Sequence, residues 1–158
     1  MAVMRRSQKD GVLFEWNGDE VKKIAERLAE KSSFEIGLFV EGQAKLLAPV
    51  DTGRLRSSIT TASGFGQRTK PTGKGAVGTD IIASPKDKLE TFVGTPVDYA
   101  PYMEYGTVKT NAQPFLRPAL DTAKGRAPYI VQVGAKREFG EYLNSKATFA
   151  QTNEAFSE

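Results

Sequence analysis

The chain has 158 residues, of which 39% are hydrophobic and 26% are charged, and its formal net charge is +3 at pH 7. The length suits one domain with a hydrophobic core of its own. The absence of Cys and His excludes disulfides, thiolate metal sites, cysteine nucleophiles and Ser-His triads. The mild basic excess permits contact with nucleic acid but does not by itself indicate it.

The chain divides by composition into an N-terminal arm of residues 1–18, a single domain of residues 19–143 and a polar C-terminal tail of residues 144–158. Its first ten residues lack the apolar core of a signal peptide. No stretch reaches the length of a membrane span. We therefore expect a soluble protein that is made in a cytoplasm.

A long helix is predicted near the start of the domain. Asn17-Gly18-Asp19-Glu20 resembles a helix start, because its acidic side chains suit the positive end of a helix dipole. Apolar residues then recur at helical spacing as far as Leu47. Pro49 disfavours helical geometry in the residue before it. The pattern predicts one helix from Asp19 to Leu47.

Turns and strands are predicted in the middle of the chain. Asp51-Thr52-Gly53 indicates a turn in which Gly53 supplies the positive φ, and Arg54 to Thr61 is expected to be extended. Residues 62–75 are rich in Gly, Lys and Thr and predict a flexible hairpin loop. Two strands are predicted after it, at Val77 to Ser84 and Leu89 to Val97.

Three helices are predicted in the last third of the chain. The first covers about Tyr99 to Tyr105 and is stopped by Gly106. The second begins near Arg117 or Pro118 and runs to about Lys124. The third starts at Pro128, because proline suits a first helical turn, and ends at about Leu143.

The most informative segment is rich in tyrosine. Tyr99, Tyr102 and Tyr105 surround Pro101 and Glu104, and a pair of prolines at 114 and 118 follows, enclosing a Phe and an Arg. Tyrosine offers a large amphipathic face with few rotatable bonds, which suits protein–protein contact. The alternative interpretation places these aromatic rings in the core.

Two chemical interpretations of this part of the chain are open. Asp51-Thr52-Gly53 invites comparison with aspartic proteases, in which two such carboxylates share a proton and activate water. Pro49, Arg54 and Arg56 suit that site poorly, and a turn explains the three residues better. Glu104 is a candidate lone general acid, although a capping or subunit-bridging role fits it better. We expect no catalytic residue, cofactor or metal ligand.

A DNA-binding role is the alternative from another class. The loop of residues 62–75 could contact a nucleic-acid backbone, and so could the basic arm, whereas a solvated hairpin tip is the simpler interpretation of the loop. The candidate DNA-backbone contacts are Arg5, Arg6, Arg68, Lys70 and Lys74.

Three segments in this order resemble a known protein family. They are residues 48–59, which include Asp51-Thr52-Gly53, residues 93–95 with 99–107, which include the tyrosines, and residues 113–119. The arrangement is similar to the small neck proteins of long-tailed double-stranded DNA bacteriophages and prophages. These include head–tail joining, tail-completion and tail-component proteins. The resemblance covers roughly residues 19 to 124.

This resemblance implies an α+β fold in which a long N-terminal helix packs on a small antiparallel sheet, with shorter C-terminal helices. It implies a closed ring of copies, six to match the tail, that joins the capsid connector to the tail tube around the DNA channel. The residues that we expect at subunit interfaces or in the family pattern are Asp51, Thr52, Gly53, Leu55, Arg56, Tyr99, Tyr102, Glu104, Tyr105, Gly106, Phe115, Arg117 and Pro118.

The resemblance also sets the expected partners and location. The partners are other copies of the chain, head-completion or connector proteins, and tail-tube or terminator proteins. Double-stranded DNA would pass through without sequence-specific binding. The protein would reside at the head–tail junction of the virion, after assembly in the host cytoplasm. A tail-terminator ring that caps the tube is the alternative within the same class.

Overall fold

The computed structural model describes residues 6–9, 12–15, 18–51, 53–71 and 85–155, with side chains at 18–51, 53–71 and 85–144. Four strands and four helices follow one another within these ranges. In chain order they are β1 (Arg6–Lys9), β2 (Val12–Glu15), α1 (Gly18–Leu47), α2 (Arg54–Ser58), β3 (Thr60–Ser63), β4 (Thr91–Gly94), α3 (Ala100–Tyr105) and α4 (Leu116–Ala155). The predicted α+β class is confirmed.

Helix α1 confirms the predicted long helix, since it runs from Gly18 to Leu47. Asp19 and Glu20 lie in its first turn and Lys45 in its last, which matches the sign of the helix dipole at both ends. Its buried face contributes Val40 and Ala44 to the hydrophobic core. The remaining fully or largely buried members of that core are Ala48, Leu55, Ile59, Val97, Ala100, Phe115, Ala119 and Ala123.

The prediction of two separate C-terminal helices is wrong, because α4 is a single helix of 40 residues. Pro128 lies inside it and leaves one backbone carbonyl without its usual donor, at a cost of about 3 kcal/mol. That proline is exposed, so water can reach the freed carbonyl. Packing of α4 along α1 offsets this cost. Within the predicted polar tail of residues 144–158, the helix continues to Ala155.

Polar contacts between α1 and α4 show that the two helices run antiparallel. Lys31 donates to Glu138 at 2.5 Å, and further along Tyr142 donates to Glu20 at 2.9 Å. The hydrogen bond from Lys31 lowers the pKa of Glu138, which burial alone would raise. Near Ser32, α4 presents Gly134, where an added Cβ would lie 3.2 Å from the serine Oγ. Small residues thus bring the two helices close together.

Ser32 and Ser33 make a matched pair for a stability test. The Ser32 Oγ is buried and has no hydrogen-bond partner in the described parts of the chain, whereas Ser33 Oγ donates to the Leu89 carbonyl and pairs with Thr91. Ser32→Ala is expected to raise the free energy of unfolding by about 0.5 kcal/mol, since alanine also favours helix. Ser33→Ala is expected to lower it by about 1 kcal/mol. Denaturant unfolding measures both, and equal effects would contradict this assignment.

The N-terminal arm contains a β-hairpin, which the sequence analysis did not predict. Strands β1 and β2 pair antiparallel, with Arg6 opposite Glu15 and Lys9 opposite Val12. Two residues, Asp10-Gly11, connect them, and an Asp-Gly pair is among the strongest short-range hairpin signals. The predicted arm therefore includes ordered backbone at residues 6–9 and 12–15.

The second sheet pairs β3 with β4, with Thr60 opposite Gly94 and Ser63 opposite Thr91. The predicted strand at Leu89 to Val97 is confirmed over Thr91–Gly94, and the strand predicted at Val77 to Ser84 lies outside the described residues. Residues 54–58, predicted to be extended, instead form the short helix α2. The predicted positive φ of Gly53 is confirmed at 77°, at the N-cap of α2.

The described part of the predicted flexible loop, residues 62–71, is tied to the domain. Its chain folds back along β3, where the Thr69 N–H donates to the Thr61 carbonyl at 2.9 Å. The buried carboxylate of Glu41 on α1 accepts hydrogen bonds from both threonine hydroxyls. Phe65 also packs edge-on against Phe34, with ring centroids 6.0 Å apart. The composition of the loop did not reveal this anchor, because Glu41 lies twenty residues away in sequence.

Candidate assembly surface

Helix α3 presents the tyrosine-rich segment, as predicted. It spans Ala100–Tyr105 and has Pro101 in its first turn, where proline loses no helical hydrogen bond. Gly106 ends it with a φ of 77°, and its N–H donates to the Tyr102 carbonyl. The chain then loops back to α4, and the Gln113 N–H donates to the Met103 carbonyl at 2.7 Å.

Glu104 joins α3 to α4. Its side chain is buried, and its two oxygens accept hydrogen bonds from the backbone N–H groups of Phe115 at 2.8 Å and of Leu116 and Arg117 at 3.0 Å. These are the free donors at the start of α4, so the carboxylate caps that helix and lies at the positive end of its dipole. Of the two predicted roles, the structure bears out capping. Both oxygens are engaged within the protomer, and the subunit-bridging role stays a prediction.

The ionisation of Glu104 follows from this geometry. Burial alone would raise its pKa, but the three backbone donors and the nearby charge of Arg117 lower the pKa below its ordinary value. The carboxylate therefore stays charged at neutral pH and acts as a permanent acceptor for the α4 N-terminus. A group that donates a proton at neutral pH would need the opposite shift.

The tyrosines form an exposed surface on α3 and at its N-cap, Tyr99. Tyr102 and Tyr105 are 61% and 64% exposed, and Tyr99, at 38%, is the most covered of the three. The guanidinium of Arg117 lies 4.4 Å from the centre of the Tyr105 ring, close enough for a cation–π contact. We call Tyr99, Tyr102, Tyr105 and Arg117 the tyrosine surface.

A groove of about 590 Å³ runs beside the tyrosine surface. Its walls come from the connection between β4 and α3, from one side of α3 and from the start of α4. Glu104 and Arg117 lie along it, together with apolar atoms of Val97 and Leu116. A second groove, of about 430 Å³, lies by Tyr99 and Met103. Helix α3 is therefore a ridge between two grooves.

Phe115 does not belong to the exposed surface. It was expected at a subunit interface or in the family pattern, but its side chain is completely buried within the protomer core. The capped start of α4 turns it inward, toward Ala44 and Ile59 in the same cluster. Leu55 is buried in that cluster as well. These two residues support the surface from below, and Pro118 is half-buried beside them.

The Asp51 turn provides exposed polar groups at the end of α1. Asp51 and Arg56 are exposed, Gly53 is half-buried, and Thr52 lies outside the described residues. An aspartic protease needs its aspartate on an apolar floor close to a second carboxylate. Asp51 instead leads into α2 from the surface, beside the 430 Å³ groove. The turn interpretation fits this geometry.

The candidate DNA contacts are only partly visible. Arg68 and Lys70 are exposed on the segment that folds back along β3. Arg6 lies in β1, where the backbone alone is described, and Arg5 and Lys74 lie outside the described residues. The structure therefore describes the side chains of two of the five cations, and DNA contact stays a prediction.

A third groove, of about 510 Å³, was not predicted. It lies between β4 and the start of α4, and α1 forms its floor. Phe92, Leu89 and Leu120 are exposed along it, at 39%, 56% and 50%. The sequence shows that residues 89, 92 and 120 are apolar, but it does not show that they line one groove. Their proximity depends on how α4 packs along α1.

A family model described as "Bacteriophage HK97-gp10, putative tail-component" matches residues 14–106, which is more than half of the chain. The chain belongs to the HK97-gp10-like family. This membership makes it a structural protein of the phage tail or neck and a component of the virion. The suspected resemblance is confirmed for this part of the chain.

The family match includes the Asp51 turn and all of α3, and it ends before the segment that holds Phe115 and Arg117. No curated protein and no solved structure matches the chain. None of the described helices is long and apolar enough to cross a membrane. Within the same described ranges, no group of three or more acidic residues is placed to hold a metal ion.

Proposed function

We propose that this HK97-gp10-like protein forms a closed ring at the junction between head and tail, with six copies as the expected number. The ring joins the capsid connector to the tail tube and surrounds the DNA channel. Its role is mechanical and involves no catalysis. Its partners are other copies of the chain, the neighbouring connector and tail-tube or terminator proteins, and the DNA that passes through.

The observation that carries this proposal is the tyrosine surface. Three tyrosines and an arginine lie exposed together, and these residue types are enriched where binding energy concentrates. Arg117 makes no ion pair with any described residue, so its donors are available to a partner. An exposed aromatic cluster of this kind on a soluble protein marks an interaction site.

Glu104 and Phe115 form a rigid frame beneath this surface, which suits a permanent joint. Glu104 holds the end of α3 against the start of α4 through three hydrogen bonds, and Phe115 fills the core below them. The surface thus needs little reordering when it binds, which lowers the entropy cost of association. A ring requires that one patch meet a different patch on the next copy. The grooves on either side of α3 supply concave surfaces next to a convex one.

Tyr102 and Tyr129 provide a matched test of this proposal. Both are exposed, and Tyr129 lies 5.3 Å from Arg126 on α4, away from the three grooves. In phage that carry Tyr102→Ala, we expect a loss of joined particles, with separate heads and tails accumulating, because interface aromatics of this type contribute about 2 kcal/mol or more. Tyr129→Ala is expected to leave infectivity unchanged. Electron microscopy of lysates measures both, and normal virions from Tyr102→Ala would contradict the proposal.

The same micrographs separate the neck from the tail terminator. A ring that caps the tail tube would stop its growth, so its loss should yield tubes of uncontrolled length. A neck ring acts after the tube is complete, so its loss should yield free tails of normal length. We expect normal lengths, and overlong tubes would assign the chain to the terminator position.

A further inference from the structure

The turn that follows α3 projects a valine and a lysine from the protein surface. The Thr107 N–H donates to the Thr110 carbonyl at 2.9 Å, and the Thr110 N–H donates to the Thr107 carbonyl at 3.4 Å. The Thr107 Oγ1 also accepts from the Lys109 N–H at 3.2 Å. Val108 and Lys109 therefore form the tip of a two-residue turn, and we call residues 107–110 the Val108 turn.

The base of the Val108 turn is fixed to the domain. A Cβ added at Gly106 would lie 2.8 Å from the Ala112 backbone nitrogen, so the chain before and after the turn is in close contact. The Gln113 N–H donates to the Met103 carbonyl at 2.7 Å and ties the returning chain to α3. A projection that is already held in one conformation loses little entropy when it binds.

The apolar tip of this turn is left in solvent by its own copy. Val108 is 106% exposed, which is more than any other large apolar side chain in the described parts of the chain. Lys109 is exposed too, and it forms no ion pair with a described residue. Single apolar residues are common on protein surfaces, but a rigid turn that presents a valine beside a cation suits an apolar recess that carries a negative charge.

The 430 Å³ groove at the other end of α3 has these properties. Most of its lining is apolar and comes from Pro49, Leu55, Met103 and Tyr99. Asp51 is the one charged residue among the described residues that line it, and it forms no ion pair with any of the residues described. Arg54 and Arg56, which lie on α2, are not part of the lining. The groove therefore complements the Val108 turn in both polarity and charge.

The turn and the groove are separate surfaces of one copy. Tyr99, the N-cap of α3, lines the groove, whereas the Val108 turn begins just after the C-cap, Gly106. No residue of the turn lines the groove of its own copy, and the exposure of Val108 shows that its side chain is not inserted into the described part of that copy. A second copy supplies the missing half of each surface, and the contact is head-to-tail, as a ring requires.

We propose that the Val108 turn of one copy inserts into the 430 Å³ groove of the next copy. Val108 packs against the apolar lining, and Lys109 pairs with Asp51. The groove shares Tyr99 with the tyrosine surface, so both belong to one assembly face. The proposal rests on the proposed ring and names one contact between its subunits.

Cysteine cross-linking tests which surfaces meet. The chain has no Cys, so every cross-link must come from an introduced thiol. Asp51→Cys and Lys109→Cys are made as separate full-length variants, and a short bismaleimide, which spans the length of a Lys–Asp pair, is added to each and to a 1:1 mixture. Cross-linked dimers are expected in the mixture and in neither variant alone. Glu26→Cys, exposed on α1, replaces Lys109→Cys in the control mixture and should give none.

The pattern of cross-links decides between the possible contacts. Dimers from either variant alone would indicate a two-fold contact. When both cysteines are placed in one chain, a cross-link within the monomer would show that the turn reaches its own groove. No cross-link in rings that native mass spectrometry shows to be intact would mean that something else fills the groove. Each of these three results overturns the contact and leaves the ring standing, whereas a wild type that stays monomeric contradicts both.

Charge reversal tests the pairing of Lys109 with Asp51. Asp51→Lys and Lys109→Asp are each expected to raise the concentration for half-assembly about tenfold, because each places like charges together. Both changes in one chain restore the pair with its signs exchanged, and assembly should return to within about threefold of the wild type. Damage to the fold would not be repaired by a second reversal. A double variant as weak as the single ones would overturn the pairing.

Val108→Asp tests the insertion itself. The side chain is fully exposed in the monomer, so the midpoint of unfolding should stay unchanged while the concentration for half-assembly rises at least about tenfold. Val133→Asp is the matched control, since Val133 is 44% exposed on α4 and lines none of the three grooves. Assembly of Val108→Asp at the wild-type concentration would overturn the insertion.

Discussion

Replacing Glu104 with Ala is expected to lower the free energy of unfolding by about 3 kcal/mol and the midpoint of thermal unfolding by about 10 °C. The change leaves three backbone N–H groups at the start of α4 without their acceptor. It also removes the negative charge from the positive end of the helix dipole. Differential scanning calorimetry measures both quantities.

Two further variants locate the source of this effect. Glu104→Gln keeps one acceptor oxygen but places a donor amide against the helix N-terminus, so about half of the loss is expected. Glu26→Ala removes an exposed carboxylate from α1 and should change stability by less than about 0.5 kcal/mol. A Glu104→Ala protein as stable as Glu26→Ala would contradict the capping role.

The pH dependence of this difference has a definite sign. The folded protein holds the pKa of Glu104 below its ordinary value of 4.5, so the stabilising contribution is complete above that value. It is lost as the pH falls through the lowered folded pKa. The stability gap between the wild type and Glu104→Gln should therefore be constant near neutral pH and narrow on acidification. A gap that widens in acid would contradict the lowered pKa.

Replacing Gly37 with Ala is expected to lower the free energy of unfolding by about 2 kcal/mol. A Cβ at this position would lie 2.5 Å from the Thr91 Cγ2 and 2.7 Å from the Thr61 Cγ2. Neither threonine can turn away without loss, because the Thr91 hydroxyl pairs with Ser33 and the Thr61 hydroxyl donates to Glu41. The sheet must therefore move off α1, and urea unfolding measures the cost.

Gly42, five residues further along the same helix, is the control for this effect. A Cβ there meets no atom within 4 Å, so Gly42→Ala is expected to raise stability by about 0.5–1 kcal/mol through helix propensity alone. The same substitution should thus lower the free energy of unfolding at Gly37 and raise it at Gly42. Stabilisation by Gly37→Ala would show that α1 and the sheet are less closely packed than the structure indicates.

Local patterns in the sequence were sufficient to predict α1, α3 and the Gly53 turn. Apolar spacing between Val21 and Leu47 defines α1, and the positive φ of Gly53 and Gly106 follows from residue type. The fold class and the family followed from the order of these pieces. Each of these features depends on residues that are close together in the chain.

The features that the sequence did not predict depend on long-range packing. Local rules predict that a helix breaks at Pro128. Helix α4 is nevertheless continuous there, because it packs along α1. Phe115 could have faced a partner or the core, and the choice is made by Glu104, whose hydrogen bonds to the start of α4 have no local signature. The β1–β2 hairpin is the exception, since Asp10-Gly11 is a local hairpin signal in the sequence.

These results separate two roles within the tyrosine-rich segment. Glu104, with Phe115 below it, builds a rigid frame inside the protomer, whereas Tyr102, Tyr105 and Arg117 lie on the outside and can contact another chain. Changes in the frame should lower stability, and changes on the outside should affect assembly without altering the unfolding midpoint. That distinction makes each class of variant a control for the other.

The location of the protein in the virion tests the central claim most directly. Electron microscopy of virions labelled with gold-conjugated antibody against this chain should place the label at the junction between head and tail. The ring proposal predicts one compact site per particle at that junction. Label spread along the tail, or confined to its distal end, would contradict it.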